Sequence, residues 1–284
     1  MGETGQESTP TVDDVTIRPL ESHDDFRQCV ALQYEIWGDD FGESAPPSIL
    51  MVTQKVGGVA AGAFDSGGRL LGFVFGISGV RGGRLAHWSD MLGVREEARD
   101  LGLGRRLKAY QRAQLLETGI DVAYWTYDPL EARNAHVNIN RLGALPIEYV
   151  SDMYGEIVRS SLLSGLSTDR FVVEWELDHP RVAAAIEGAA PEVYPAAAVA
   201  PIVNTVWDGT APQPCERDLV DAAHVRVEIP REVHDVKRTS LERARAWRAS
   251  TRRAFAHYMS RGFRVTGFRA EPESGRCFYS LGKA

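Results

Sequence analysis

The sequence predicts an α/β (α+β) fold: a mixed central sheet with flanking helices, plus a smaller C-terminal β-α-β-β unit. Three observations predict it. Between residues 15 and 94, runs of β-prone residues are separated by glycine-rich turns, the pattern of hairpins. From residue 99 to 150, helical and strand-like stretches alternate, as in β-α-β-α-β connections. An Ala- and Pro-rich stretch from His179 to His224 then separates off a final ordered segment.

The elements follow in order. Residues 1–14 read as a flexible tail. Val15 to Leu20 alternates as a short strand, and Ser22 to Trp37 has the apolar spacing of an amphipathic helix (Phe26, Val30, Leu32, Ile36). Pro46 to Val56 is a second helix, stopped by Gly57-Gly58. Val59 to Phe64 and Leu70 to Val80 are strands joined at Asp65-Ser66-Gly67-Gly68, and Leu85 to Val94 is a third strand of this run. Arg99 to Gly119 is the strongest helix. Asp121 to Tyr127 is a strand, Leu130 to Leu142 a helix, Pro146 to Val150 a strand and Phe171 to Leu177 another. One domain therefore spans 15–177 and a linker spans 178–224, with a short helix at Arg181 to Glu187. A β-α-β-β unit spans 225–284. It opens with a strand at Val225 to Ile229. Thr239-Ser240-Leu241-Glu242 reads as a capping box for a helix to about Arg261, and strands follow at Phe263 to Phe268 and Cys277 to Leu281.

Composition narrows the function. With 284 residues, 44% of them hydrophobic, the chain can build a core. A net charge of −7 disfavours nucleic acid held by bulk charge. Three scattered cysteines, Cys29, Cys215 and Cys277, form no CxxC pair, which argues against a disulfide scaffold or metal cluster and fits a reducing compartment. No apolar run reaches the length of a membrane span, and the polar start MGETGQESTP has no secretory character, so the cytoplasm is the expected location. The last unit is basic, with 14 Lys and Arg against 6 Asp and Glu.

The chemistry sits in Arg99-Asp100-Leu101-Gly102-Leu103-Gly104-Arg105, between a strand and a long helix. Two glycines at this spacing let backbone N–H groups converge on an anion, and a helix N-terminus adds partial positive charge. A diphosphate is the natural guest. A P-loop would need Gly-Lys-Ser/Thr, and a dinucleotide fingerprint three glycines; neither is present.

This segment resembles the pyrophosphate motif of the GNAT superfamily of acyl-CoA N-acyltransferases, Gln/Arg-x-x-Gly-x-Gly/Ala, with Arg99, Gly102 and Gly104 at its fixed positions. The order of elements over 15–150 is similar too. The resemblance implies acyl-CoA as co-substrate, no metal, and a GNAT-like sheet in which pantetheine lies along the fourth strand. It places the pantetheine contact at Val94 and points the Leu92 N–H at the acyl carbonyl. The amides of Asp100, Leu101, Gly102, Leu103, Gly104 and Arg105 then face the pyrophosphate, and Asn134 contacts the cofactor. Members often carry a basic Glu where this chain has Trp88. Asp90, two residues on, is the first choice of base; His87 and a water chain are alternatives. The Tyr that members use as acid falls at Ile139, which has no proton to give. Tyr154 is a substitute, and Tyr258, in a Tyr-x-x-x-Gly-Phe stretch, is a second.

That late Tyr-x-x-x-Gly-Phe suggests that the C-terminal unit is a partial repeat of the fold's second half. Its helix carries Arg245, Arg248 and Arg252 on one face, which reads as a solvated face, as one that pairs with the acidic first domain, or as one that recognises a carboxylate or phosphate. The chain also resembles a narrower group of acyltransferases, some of which accompany racemases of N-succinylated amino acids. Trp125 to Leu130 with Asn134-Ala135-His136, Ser167 to Phe171 with Val173-Glu174-Trp175, and Ala246-Trp247-Arg248 through Gly262 carry that likeness. The expected reaction is direct transfer of an acetyl or succinyl group to a small-molecule amine or amino acid. No nucleic-acid or membrane partner is expected, and a homodimer is compatible with the sequence. The alternative is a non-catalytic CoA-binding regulatory or interaction module.

Overall fold

In the computed structural model the described residues are 14–155, 165–189, 199–216 and 218–283. The tail expected over 1–14 lies outside them except for Asp14. The chain divides into two compact units, Met1–Asp121 and Val122–Ala284. The fold class is the expected α/β one, a large sheet flanked by helices with a smaller C-terminal sheet.

In the first unit, β1 (Thr16–Pro19), β2 (Val59–Phe64), β3 (Leu70–Arg81) and β4 (Arg84–Val94) pair in that order, each antiparallel to the next. Helices α1 (His23–Trp37) and α2 (Pro47–Lys55) lie between β1 and β2 in sequence. Helix α1 starts where its chemistry says it should. The Ser22 hydroxyl accepts from the Asp25 N–H, and the Asp25 carboxylate accepts from the Ser22 N–H, closing a capping box. Asp25 also takes two donors from Arg18, which holds its carboxyl below the usual range. Leu20, Phe26, Cys29, Leu32, Leu50, Phe73 and Phe75 form a closed apolar core. Burying each large side chain contributes about 1.5–3 kcal/mol.

The long helix differs from expectation at its start. Glu96–Leu101 is a 3₁₀ turn, Gly102 takes φ 66°, and α3 runs only over Leu103–Glu117. A left-handed residue interrupts the helical run, and glycine adopts it without Cβ strain.

In the second unit, β5 (Val122–Tyr127), β6 (Leu145–Val150) and β7 (Arg170–Glu176) form antiparallel pairs in the order β5-β7-β6. The helix expected over Leu130 to Leu142 is irregular: one α turn, α4 (Ala132–Ala135), widens into a π segment at His136–Arg141. Asn138 and Asn140 are why a wider turn is useful. Asn138 accepts from the Trp125 indole at 3.2 Å, and Asn140 donates to the Phe268 carbonyl at 3.1 Å.

The stretch 178–224 holds more structure than a linker. It contains α5 (Pro180–Glu187) and a hairpin of β8 (Thr205–Trp207) and β9 (Pro212–Pro214). Both prolines are tolerated in β9. Cys215 N–H donates to the Asn204 carbonyl, which sets the alternation, so Pro212 and Pro214 fall at positions where no N–H is required.

The C-terminal segment comprises β10 (His224–Ile229), α6 (Val233–Thr239), α7 (Leu241–Met259), β11 (Phe263–Ala270) and β12 (Cys277–Lys283). Helix α6 was not expected. Nor is there a capping box at Thr239: Ser240 caps α7 by accepting from the Arg243 N–H, and an arginine at that third position cannot return the bond. The small sheet runs β10-β12-β11, all antiparallel. That is the same strand–helix–strand–strand connectivity as β5-β7-β6. Phe171, Phe255 and Tyr279 meet edge-on at ring separations of 4.7–5.4 Å and tie these elements together within the unit.

Candidate functional site

The turn expected to cradle a diphosphate lies in the first unit, between the end of β4 and the start of α3. No side chain caps α3, because Gly102 stands at its N-cap position. The first-turn N–H groups of a helix have no intrahelical acceptor. Here they meet no capping side chain either, and α3 has no acidic residue in its first turn. Arg99, Asp100 and Leu101 belong to the 3₁₀ turn; Leu103, Gly104 and Arg105 open the helix. A Cβ on Gly104 would stand 3.6 Å from Leu92 Cδ2, an ordinary contact, whereas Gly102 needs its positive φ. Leu92 thus lies beside Gly104.

Strand β4 is bulged. Met91 lies opposite Phe75 and Ser89 opposite Gly76, so Asp90 is the extra residue. Beyond the bulge, the Arg95 N–H donates to the Leu71 carbonyl at 2.8 Å. Alternation along the antiparallel pair then gives Met91 and Gly93 the bonds to β3, and turns the N–H and C=O of Leu92 and Val94 toward the other edge of β4. These two residues have the backbone direction that an extended ligand laid beside the strand would need. Asp90 is solvent-accessible, yet protein crowds it on several sides; that desolvation, followed by the charge of Glu43, raises its carboxyl above the usual range. A carboxylate so placed is a better proton acceptor than an ordinary one.

His87 has no such freedom. It is fully buried. Gln111 Oε1 accepts from Lys108 Nζ and Ser89 Oγ, so its amide nitrogen donates to His87 Nε2 at 3.0 Å. The ring proton therefore sits on Nδ1, facing Ser78 Oγ at 3.0 Å, and Ser78 in turn donates to the Gly57 carbonyl. Burial, then the charge of Lys108, lowers His87 to about 3. The alternative of His87 as base is set aside, since both ring nitrogens are committed. Sequence reading missed Lys108 and Gln111 altogether. Their spacing of three on the sheet-facing side of α3 reads as a polar helix face, and nothing in it announces that the lysine is fully buried, with burial lowering its amine to about 7.

In the second unit, Tyr154 and Thr126 come together. Their hydroxyls are 3.0 Å apart at the C-terminal end of β5, and the Arg170 guanidinium lies over the Tyr154 ring. Asn134 is exposed on α4. Tyr258 is elsewhere in role: it is 2% exposed, packs on Phe263 and donates to the Val220 carbonyl at 2.8 Å. Its proton is already placed, so it goes no further as an acid. The tail arginines each contact a protein group, although Arg248 Nε and Nη1 are buried without a hydrogen-bond partner. Arg248 pairs with Asp128, Arg252 with Asp169, and Arg245 donates to the Gly165 carbonyl. Asp128 and Asp169 belong to this same unit, so two of the three arginines are paired with carboxylates locally.

Burial drives Cys29 to about 12 and Cys277 to about 11, which keeps both protonated at neutral pH. Among the described residues no cluster of three His, Cys, Asp or Glu side chains could hold a metal ion, and no helix is long and apolar enough to cross a membrane.

No protein-family profile matches the chain, and no curated protein matches it. Solved structures similar to it include acetyltransferases. The ribosomal-protein-S18-alanine N-acetyltransferase from Escherichia coli is 15% identical, with 58% of this chain and 95% of that one covered at a TM-score of 0.44. An acetyltransferase of the GNAT family from Streptococcus pneumoniae is 17% identical, covering 56% and 98% at 0.45. Naa50 from Arabidopsis thaliana, solved with the bisubstrate analogue CoA-Ac-MVNAL, is 13% identical, covering 57% and 97% at 0.45.

Proposed function

We propose that this chain is an acyl-CoA-dependent N-acyltransferase acting on the amine of a small molecule or amino acid. The observation that carries the reading is the bulged end of β4: Leu92 and Val94 turn their backbone groups to one edge, and the uncapped turn through Gly102 to Leu103 follows at once. The pyrophosphate of CoA binds at Asp100 to Arg105, with Arg99 alongside. Pantetheine lies along Val94, and the Leu92 N–H holds the thioester oxygen as negative charge develops there.

Transfer is direct. Asp90 takes a proton from the acceptor ammonium, or from the amine as it attacks. The nitrogen lone pair adds to the thioester carbon, the C–S bond breaks, and CoA leaves as a thiolate that is then protonated. Tyr154 is kept as the candidate donor, and Asn134 as a candidate cofactor contact. The buried, protonated Cys29 and Cys277 support a route without an acyl-enzyme. The common connectivity of β5-β7-β6 and β10-β12-β11 supports the view that the C-terminal sheet is a partial second copy.

The test is release of free thiol from acetyl-CoA and succinyl-CoA, with amino acids and small amines as acceptors. Turnover that depends on both substrates supports the proposal. Binding of CoA without turnover across the panel supports the non-catalytic module instead.

A further inference from the structure

The bulge in β4 decides how the strand presents itself. Ser89 and His87, two apart, face α3. Leu92 also lies against α3, beside Gly104, although it is three residues from Ser89. Strict alternation would turn Leu92 to the opposite face; the extra residue, Asp90, is what restores it. If the bulge moved beyond Leu92, Asp90 would enter the ladder and Leu92 would lie opposite Phe73 instead of Val74, so that its amide would reverse its edge. A bulge is a local rearrangement of a ladder, so something must hold its place.

Helix α3 supplies a polar grip on the N-terminal side of the bulge. Lys108 Nζ donates to Ser89 Oγ at 2.7 Å and to Gln111 Oε1 at 3.2 Å. Ser89 Oγ donates to Gln111 Oε1 at 3.0 Å, and Gln111 Nε2 reaches His87 at 3.0 Å. All four side chains are buried. Across the ladder, Gly76 makes room: a Cβ there would fall 2.3 Å from His87 Nε2. Buried polar groups impose a specific partner geometry, because leaving any one unpaired costs about 1–3 kcal/mol. Apolar packing at the same place would tolerate a slipped register.

We propose that Lys108 and Gln111 are positioning residues: by gripping Ser89 and His87 they lock the β4 bulge at Asp90, and so aim both the Asp90 carboxylate and the Leu92 N–H. This rests on the acyltransferase reading for its catalytic consequence, but not for its structural one. Because the same helix carries the cradle at its N-terminus, the grip also ties the bulge to the anion site.

The test uses the full chain with Ser89→Ala and, from the opposite side of the ladder, Gly76→Ala. Amide exchange at residues 89–92, kcat, KM for acyl-CoA and the acidic limb of the pH profile are measured. The expected result for both variants is faster exchange at 90–92 and a kcat lowered roughly tenfold or more, since a positioned base is worth about 10²–10⁴. KM for acyl-CoA stays within about threefold, a split that assigns the loss to the chemical step. The acidic limb moves to lower pH, as Asp90 leaves its crowded setting and its carboxyl returns toward the ordinary value. A variant that folds with wild-type exchange, kcat and limb overturns the proposal, and if Ser89→Ala fails to fold, Gly76→Ala decides. If the wild-type protein turns over no acyl-CoA, the acyltransferase reading fails by itself. The grip is then judged by exchange alone, and unchanged exchange overturns it.

Discussion

Replacing Lys108 with methionine removes the one described lysine that burial drives to about 7. In the unfolded chain this amine has its ordinary value of 10.5. Between pH 7 and 10.5 the unfolded state therefore binds a proton that the folded state does not, and wild-type stability rises with pH across that window. The fall from 10.5 to about 7 corresponds to roughly 5 kcal/mol at about 1.36 kcal/mol per pH unit. Methionine has no proton to bind, but it forfeits the hydrogen bonds to Ser89 and Gln111, worth about 0.5–1.5 kcal/mol each. The variant should be more stable than wild type at pH 7 by a few kcal/mol, on the order of 2–4. By pH 10 most of that gain should be gone, leaving only the lost hydrogen bonds. Urea denaturation of both proteins at pH 7, 8, 9 and 10 measures this. Parallel stability curves, with a constant difference between the proteins, would refute the argument that burial strips Lys108 of its proton at a cost to stability.

Other outcomes follow from the same contacts. Gly102→Ala should weaken CoA binding, because alanine at a φ of 66° costs roughly 1–2 kcal/mol in the turn; Gly104→Ala, whose Cβ meets only Leu92 at 3.6 Å, should bind nearly as wild type in calorimetry. Asp25→Asn should lower the stability by about 1–3 kcal/mol at neutral pH. Since the folded carboxyl lies below its unfolded value, that contribution is present above about pH 4 and is lost on acidification, which acid denaturation of the two proteins would show. Tyr258→Phe should cost about 1 kcal/mol in thermal melts and leave thiol release untouched, while Tyr154→Phe should slow thiol release; the reverse pattern would return Tyr258 to the active site.

Much of this was legible in the chain because local rules act locally. Ser22 and Asp25 start α1 through atoms three residues apart, and Gly67-Gly68 after Asp65 turn β2 into β3 through side-chain acceptance from Gly67 and Arg69. What stayed hidden depends on partners distant in sequence. The π segment at His136–Arg141 is worth its geometry only because Trp125 and Phe268 wait for Asn138 and Asn140. The prolines of β9 read as linker residues until their register opposite β8 is known. The bulge at Asp90 leaves no trace in composition: the run Trp88 to Val94 reads as an ordinary strand, and the slip is visible only against β3. Arg248 and Arg252 read either as paired with acidic groups or as a face that recognises an anion, and the carboxylates that pair with them, Asp128 and Asp169, lie 120 and 83 residues away.

Calorimetric titration of coenzyme A into the protein, alongside Gly102→Ala, bears most directly on the turn between β4 and α3. A saturable heat with micromolar affinity, weakened in the variant and competed by free pyrophosphate, is the predicted result. Absence of binding, or binding indifferent to both the substitution and pyrophosphate, would contradict it.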